Sequence, residues 1–395
     1  MMKRYFIFCI VLLCLASCQK EEYSLIVENP SSVDRISEII EIELEEAEAF
    51  AVYDASGVEL PSQVTYNGKL IFPATVAAKS KSSYSLKRAE RSPIDTLTKG
   101  RIYPERLDDI AWESDKIGFR VYGKRAGAHG AKFYGYDVFT KRGERPVLDH
   151  LYAVENDPHD RALVIELRKS DPKSAQTLSD AISYHIDHGL GMDYYVVGPT
   201  LGCGTAALIY DGENIYPLYY DKYEILDNGG LRFTLKLTFD PIKVGEDMVT
   251  EERIITLDAG DHFNHIEINY QGLTQPSDVI IGLSLRDVAE QHQIKDGSIA
   301  YAEPVHTFGW QTYTAAIFPE QMTPSLNLFD EEQMAAHAGA FGHLQTVGEV
   351  KPNESLIYYA GAGWNRWGFD APQQWFDYVA KQEIAKHNPL TYSLR

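Results

Sequence analysis

The sequence predicts an all-β protein, in which a small β-sandwich-like module precedes a large antiparallel sandwich of two big sheets. In the segment 231–239, apolar and polar residues alternate, so that four apolar side chains lie on one face. That period of two is typical of a half-buried antiparallel strand. Similar runs fill residues 100–395 without internal repeats, which favours a sandwich over a propeller or a solenoid. Only two peripheral helices are predicted, at 329–340 and 374–387.

Composition and charge exclude several classes of protein. The 395 residues contain 37 basic and 57 acidic side chains, which gives a net charge of −20. A chain this acidic has no overall basic footprint for nucleic acid, and most of its surface would be repelled by anionic lipid headgroups. Its hydrophobic content of 44% and charged content of 24% are those of a globular protein, which excludes wholesale disorder.

Residues 1–17 are predicted to be a lipoprotein signal peptide. Lys3 and Arg4 precede an apolar run over 5–15 that is too short to span a membrane. Leu15-Ala16-Ser17-Cys18 resembles a bacterial lipobox, in which the cysteine is lipidated and becomes the mature N-terminus. Residues 18–22 would then be the lipidated Cys18 and an export tether. Their sequence resembles the signal that sends Bacteroidetes lipoproteins to the outer face of the outer membrane, and a periplasm-facing anchor is the alternative.

The body of the chain divides into two predicted β domains. Residues 23–90 contain short apolar runs separated by turn residues such as Asp54-Ala55-Ser56-Gly57, which predicts a small β domain. A polar linker follows near 87–98. Residues 100–395 form the predicted large sandwich.

The segment 184–198 carries the densest set of chemically active side chains. If 184–187 is a strand, His185 and Asp187 point to one face, and Asp193 and Tyr195 share a face on the strand after the glycine-rich turn. These four residues could then meet and transfer protons on a sugar. Alternatively, His185 and Asp187 bond to each other only to hold a hairpin.

No metal or other cofactor is predicted at this segment. His185 and His188 are three residues apart and face opposite sides of a strand. Ca²⁺ is the one alternative, because Asp187 and Asp193 around the glycines could supply oxygen ligands. Their spacing, however, does not match an EF-hand loop.

Two further groups are candidates for substrate binding. Arg120 could bind a substrate carboxylate bidentately, with Glu113 nearby, although for any one of these charges a salt-bridged strand edge is the better explanation. His129 belongs to a local basic patch that could receive an anionic sugar on an acidic protein. Late in the chain, three tryptophans form a candidate sugar-stacking platform, with burial in the core as the alternative: Trp310, Trp364 and Trp367.

Three stretches together resemble the Bacteroidetes family called domain of unknown function 4861. They are its opening motif at 106–123, its central motif at 184–198 and its closing motif at Gly361-Ala362-Gly363-Trp364. The resemblance covers most of 100–395 and implies a galactose-mutarotase-like supersandwich. It also implies a role in breaking down pectin-type, uronate-containing plant polysaccharides, so an acidic polysaccharide or oligosaccharide is the expected partner.

Three functions remain open at this point. The first is a lyase, in which Arg120 or His185 neutralises the uronate carboxylate, His185 or Tyr195 takes the C5 proton, and Tyr195 or His129 protonates the departing oxygen. The second is a glycoside hydrolase with a carboxylate pair from Asp187, Asp193 or Glu113. The third is a non-catalytic glycan-binding lipoprotein. A sugar epimerase is a weaker hypothesis, because fold alone does not decide function.

Overall fold

The computed structural model describes residues 22–130, 132–288 and 291–395. The predicted signal peptide and Cys18 therefore lie outside the described residues. The strands of the first part are β1 (Glu22–Glu28), β2 (Arg35–Ile42), β3 (Phe50–Asp54), β4 (Glu59–Leu60), β5 (Gln63–Val64), β6 (Leu70–Val76) and β7 (Lys81–Arg88). Those of the middle part are β8 (Lys99–Tyr103), β9 (Asp109–Glu113), β10 (Gly118–Val121), β11 (Asp137–Lys141), β12 (Gly191–Asp193), β13 (Cys203–Tyr210), β14 (Glu213–Ile215), β15 (Tyr220–Asn228), β16 (Arg232–Phe239), β17 (Ile242–Val244), β18 (Asp247–Asp258) and β19 (Phe263–Gln271).

The remaining strands are β20 (Ser277–Leu285), β21 (His292–Lys295), β22 (Ser298–Ala302), β23 (Thr312–Ile317), β24 (Thr323–Leu328), β25 (Gly342–Val350), β26 (Leu356–Trp364) and β27 (Thr391–Leu394). The helices are α1 (Lys124–Ala128), α2 (Leu148–Glu155), α3 (Pro158–Ser170), α4 (Pro172–Ile182), α5 (Glu331–Ala336) and α6 (Pro372–His387). Among the described residues, no helix is both long enough and apolar enough to cross a membrane.

The all-β prediction is confirmed, because nearly every sheet contact is antiparallel and helices are few. In the large part, a nine-stranded sheet contains β15 to β19, β21 to β23 and β26. Two five-stranded sheets accompany it, one of β8 to β12 and the other in the order β14-β13-β20-β25-β24, and they meet at the bridge between Tyr136 and Gly202. One hydrophobic core is shared by all three sheets; for example, Trp112 of β9 stacks on Phe233 of β16.

The small module is completed by the last strand of the chain. Its strands form a sheet in the order β27-β1-β7-β3-β4 and a second sheet, β2-β6-β5, around a separate apolar core. β27 pairs with β1 in antiparallel register, with Leu25 opposite Leu394. Residues 391–394 therefore belong to a sheet of the small module rather than to the large sandwich.

Three helices between β11 and β12 were not predicted. Asp157 and Asp171 each cap a helix whose first residue is a proline, Pro158 for α3 and Pro172 for α4. A capping aspartate followed by proline is a recognised helix start, since proline needs no partner for an amide at that position. These helices lead directly into the segment 183–190, which contains His185.

Candidate functional site

Several loops that carry polar and aromatic side chains meet at one end of the large sandwich. Because Thr312 of β23 pairs with Trp364 of β26, the loops 303–311 and 365–368 leave the nine-stranded sheet side by side. Tyr194 follows β12 and reaches the first of these loops. We define the aromatic edge as Tyr194, His306, Phe308, Trp310 and Trp367.

Ring contacts hold four members of the aromatic edge together. The His306 and Trp310 rings stack with their centroids 4.4 Å apart and their planes within 3°. Tyr194 meets Trp310 edge-on at 5.5 Å, and Phe308 lies 5.4 Å from Trp310. Phe308 is 71% exposed, so the cluster presents an apolar surface to solvent. Such a surface beside polar groups is typical of a binding site.

Hydrogen bonds between the loops 303–311 and 365–368 position Trp367, the fifth residue of the aromatic edge. The Asn365 amide donates to the Gly309 carbonyl at 2.9 Å, and Arg366 donates to the Phe308 carbonyl at 2.9 Å. Trp367, the next residue, is 37% exposed. Of the three predicted platform tryptophans, Trp367 is thus exposed and Trp310 is half-buried. Trp364 is buried, and its indole donates to the carbonyl of Lys141 at 2.7 Å.

Glu303 is a buried carboxyl at the base of the aromatic edge, and the sequence did not indicate it. It directly follows β22, and its amide donates to the Thr312 carbonyl at 2.9 Å. Burial raises its pKa to about 7, although the nearby Arg286 guanidinium opposes this shift. Glu303 begins the loop 303–311, and the Gln311 side-chain amide at the other end of this loop donates to the Glu303 carbonyl at 2.7 Å. Burial, and after it the Glu303 carboxylate, raise the pKa of Tyr194. The only signal in the sequence was a carboxylate at a strand end just before a proline.

His185 lies on a turn, because the strand expected over 184–187 is not formed. Its Nδ1 donates to the Asp193 carbonyl at 2.8 Å, and its ring packs against Tyr184. Slightly more than half of the side chain is exposed. With the proton on Nδ1, the neutral ring keeps a lone pair on Nε2 for a ligand.

Arg120 is buried within a set of carboxylates that already neutralise its charge, which does not fit the role in substrate binding that the sequence suggested. Its guanidinium bonds to Asp137 and, at 2.7 Å, to Asp193, and it lies 3.8 Å from Asp109. It also donates to the Tyr122 hydroxyl at 3.1 Å. Pairing of β9, β10, β11 and β12 brings these groups together inside the protein.

Two predicted carboxylates bind their own surroundings instead of facing a ligand. Asp187 accepts hydrogen bonds from the amides of Gly189 and Gly191, at 2.8 and 3.1 Å, which explains why this stretch turns. Glu113 is buried and accepts from the amides of Val147 and Leu148. Neither residue is therefore paired with a second carboxylate across an open cleft.

The other predicted residues are not part of the aromatic edge. Tyr195 is buried in the main core, and burial raises the pKa of its phenol. His129 is exposed at the end of α1, where its ring bonds to the Arg125 carbonyl. Within the described part of the chain, three metal-ligand groups come within 4.8 Å of one another only at Asp157, His159 and Asp160, and not at Asp187 and Asp193.

Arg142 is a partly exposed arginine next to the loop that carries His185. The Arg142 guanidinium lies 5.8 Å over the Trp364 ring, and its Nε is 3.5 Å from Asp187. About a third of this side chain is exposed. The amide of Arg142 also donates to the Leu190 carbonyl, so the residue is anchored to the loop that carries His185.

The fold and these groups define a two-module all-β sandwich protein, in which a buried carboxyl, a half-exposed histidine and an aromatic cluster lie on the loops that follow the strands. The chain belongs to the family described as "Domain of unknown function (DUF4861)", whose model matches residues 27–391. The family inferred from the three sequence motifs is thereby confirmed.

Known proteins similar to this chain were also found. An uncharacterized protein, P7, from Formosa agariphila is 26% identical over 99% of this chain and 98% of its own length. Among solved structures, an alpha-mannosidase from Enterococcus faecalis V583 has a TM-score of 0.46 at 8% identity, covering 95% of this chain. A glycosyl hydrolase family 38 protein from Enterococcus faecalis has the same TM-score and identity. The chain spans about half the length of these two structures.

Proposed function

We propose that this protein binds a uronate-containing glycan of the pectin type at the aromatic edge and cleaves it by β-elimination. The observation that carries the proposal is the aromatic cluster on the loop 303–311, whose first residue, Glu303, is a buried carboxyl with a pKa raised to about 7. Aromatic rings offer flat apolar faces to sugar rings, and perturbed titratable groups concentrate at functional sites.

Two groups at this end of the sandwich are suited to the two proton transfers. His185, oriented through Nδ1 by the Asp193 carbonyl, takes the C5 proton of the uronate on Nε2. The electron pair of the broken C–H bond forms the C4–C5 double bond, and the C4–O bond breaks. Glu303, which is protonated below a pKa of about 7 but only 5% exposed, gives its proton to the departing oxygen through one water molecule.

Arg142 is the cation we assign to the uronate carboxylate in this reaction. Its guanidinium is partly exposed and is positioned by Trp364 and Asp187. Arginine matches the planar geometry of a carboxylate and so makes the C5 proton more acidic. Arg120, which is surrounded by buried carboxylates, is not available for this role.

A non-catalytic glycan-binding protein is the second candidate, and the exposure of Phe308 and Trp367 favours it. Hydrolysis by a carboxylate pair is less well supported. Glu113, Asp187 and Asp193, which were the candidates for such a pair, each bind backbone amides or a buried cation instead.

The proposal is tested by incubating the full chain with polygalacturonate and rhamnogalacturonan while following the ultraviolet absorbance of unsaturated uronate ends. Glu303→Gln and His185→Ala should each lower the rate by about 10²- to 10⁴-fold while the circular dichroism spectrum stays unchanged. His159→Ala, an exposed histidine on α3, is the matched control and should keep full activity. Cleavage without unsaturated ends would support hydrolysis, and binding without cleavage would support the second candidate.

We further propose that the protein acts as a lipoprotein on the outer face of the outer membrane, with a periplasm-facing anchor as the alternative. The support is the signal-like sequence 1–17 and the lipobox-like residues that end in Cys18. A lipid at Cys18 would hold at the membrane an acidic protein that charge alone would not attract there.

A further inference from the structure

A second cleft lies between the small module, the turn from β18 to β19 and helix α6. Two adjoining cavities of about 560 and 400 Å³ form it, and both are lined by Glu38, Asp258, Asp261 and Lys386. Its lining includes no residue of the aromatic edge. Sites for small ligands have volumes of roughly 300–1,000 Å³, so the size suits such a ligand.

Buried ion pairs and hydrogen bonds hold one wall of the cleft in place without a ligand. Arg35 of β2, only 2% exposed, donates to the carbonyls of Ala385 and Asn388 at 2.7 and 2.6 Å. These carbonyls belong to the C-terminal end of α6, where a cation is favourable. Next to them, Lys386 binds Asp261 at 2.6 Å.

The other wall is held across the two modules by Arg232. Its guanidinium bonds to both oxygens of Asp258, at 2.6 and 2.8 Å, and also to Glu41 of the small module. Glu38, Asp258 and Asp261 are therefore each paired with a neighbouring cation, whereas Asp34, which also lines the larger cavity, accepts from the Ala78 amide. The pairing lowers the repulsion that an anionic ligand would meet, although the protein as a whole carries a charge of −20.

Two polar side chains of α6 at the larger cavity have no bonded partner among the described residues. Lys381 is exposed, and Gln382 is half-buried beside it. The ring of Tyr378, one turn earlier on the helix, also lines this cavity. The cleft thus offers a cation, an amide, carboxylate acceptors and a ring, and sugar hydroxyls, which both donate and accept, need such a mixture.

We propose that this cleft is a second binding site, which takes an acidic sugar unit of the glycan that the aromatic edge receives. Lys381 pairs with the sugar carboxylate, and Gln382 together with the Asp258 and Asp261 oxygens receives the hydroxyls. The choice of an acidic sugar rests on the proposed function. A site between the small module and the large sandwich would hold one part of a long glycan while the aromatic edge acts on another part. Binding at two places increases the effective affinity of the protein for the glycan.

The test uses trigalacturonic acid with the full chain, followed by amide hydrogen exchange with mass spectrometry and by titration calorimetry. We expect protection in peptides that cover 32–38 and 378–386, in addition to peptides of the aromatic edge. Lys381→Ala should weaken the cleft site by roughly tenfold, because one charge-assisted contact is lost. It should leave protection of 303–311 unchanged. Lys169→Ala, an exposed lysine on α3, is the matched control and should alter neither site.

The possible outcomes separate the two proposals. Protection at the aromatic edge alone would overturn the second site and leave the proposed function intact. Protection in the cleft that Lys381→Ala does not weaken would overturn the assignment of the acidic sugar to Lys381. The absence of protection at both places would contradict the second site and the proposed function together.

Discussion

At the scale of single residues, Arg120 shows how burial changes the chemistry of a charged group. One guanidinium faces three carboxylates, those of Asp109, Asp137 and Asp193. The second nearby cation, Arg106, is partly exposed and lies 3.5 Å from Asp109. Among the described residues, neither oxygen of Asp109 has a hydrogen-bond partner, and burial raises its pKa to about 7. Asp109 therefore holds a proton in the folded state at mildly acidic pH.

Asp109 should make the protein less stable as the pH rises. The pKa of Asp109 in the folded protein, about 7, is above its ordinary value of 3.8. The contribution of Asp109 to the free energy of unfolding is therefore fully present below about pH 4 and is lost as the pH rises through 7. At about 1.4 kcal/mol per pKa unit, the free energy of unfolding falls by at most ~4 kcal/mol between low and high pH. Asp109→Asn should remove this part of the pH dependence, as measured by urea unfolding at pH 5 and pH 8.

The control for this prediction is Asp278→Asn, an exposed carboxylate at the start of β20. This variant should keep the wild-type difference in unfolding free energy between the two pH values. An Asp109→Asn protein whose stability changes with pH as steeply as that of the wild type would show that Asp109 is ionised in the folded state.

At the scale of secondary-structure elements, Glu113 of strand β9 links this strand to strand β11 and to helix α2. It ends β9, accepts from the first amides of α2, and binds Lys141 of β11 at 2.6 Å. The carbonyl of Lys141 in turn receives the indole of Trp364, beside the loop that carries Trp367. A buried ion pair therefore helps to position the end of β26, from which the loop with Trp367 leaves.

Glu113→Gln should destabilise the protein by about 3–5 kcal/mol, because it leaves the Lys141 ammonium buried without a counter-charge. Thermal and urea unfolding measure this loss. The double variant Glu113→Gln/Lys141→Met also removes the unpaired Lys141 ammonium and should recover part of the stability. Such a recovery would identify the lost ion pair as the cause of the destabilisation. Equal stability of Glu113→Gln and wild type would contradict the prediction.

The spacing of apolar residues along the sequence correctly predicted those strands and helices whose structure follows from that spacing alone. The alternation in 231–239 corresponds to β16 (Arg232–Phe239), and the helix expected at 374–387 corresponds to α6. The strand predicted over 184–187 is not formed. The Asp187 carboxylate instead accepts hydrogen bonds from the amides of Gly189 and Gly191, which stabilises a turn. The sequence contained that signal, an aspartate two residues before a glycine, but periodicity does not detect it.

The candidate site was less predictable because it depends on contacts between distant segments. The burial of Arg120 results from lateral pairing of β10 with strands on both sides, which no local window contains. Glu303 becomes a perturbed acid only because other segments cover it. His185 and Trp310 could be singled out by residue type, whereas their surroundings required the fold.

At the scale of the whole molecule, the two ends of the described chain meet in one sheet. β27 pairs with β1, and Leu390 and Leu394 pack against the core of the small module. The Tyr392 hydroxyl accepts from the amide of Glu43, which adds a contact to a second part of that module. Helix α6, which precedes β27, also forms a wall of the second cleft, so the chain end ties the small module to the large sandwich.

Removal of residues 391–395 should therefore loosen the small module and leave the aromatic edge unchanged. Four paired positions and the contacts of Leu394 are lost, a cost of roughly 2–5 kcal/mol at about 1 kcal/mol for each hydrogen bond and side-chain contact. Hydrogen exchange should become faster in 22–28 but not in 303–311. Tyr392→Phe, which removes only the hydroxyl, should have a much smaller effect. Unchanged exchange in 22–28 after truncation would show that β7 alone keeps β1 in place, and that the chain end is not needed to join the two modules.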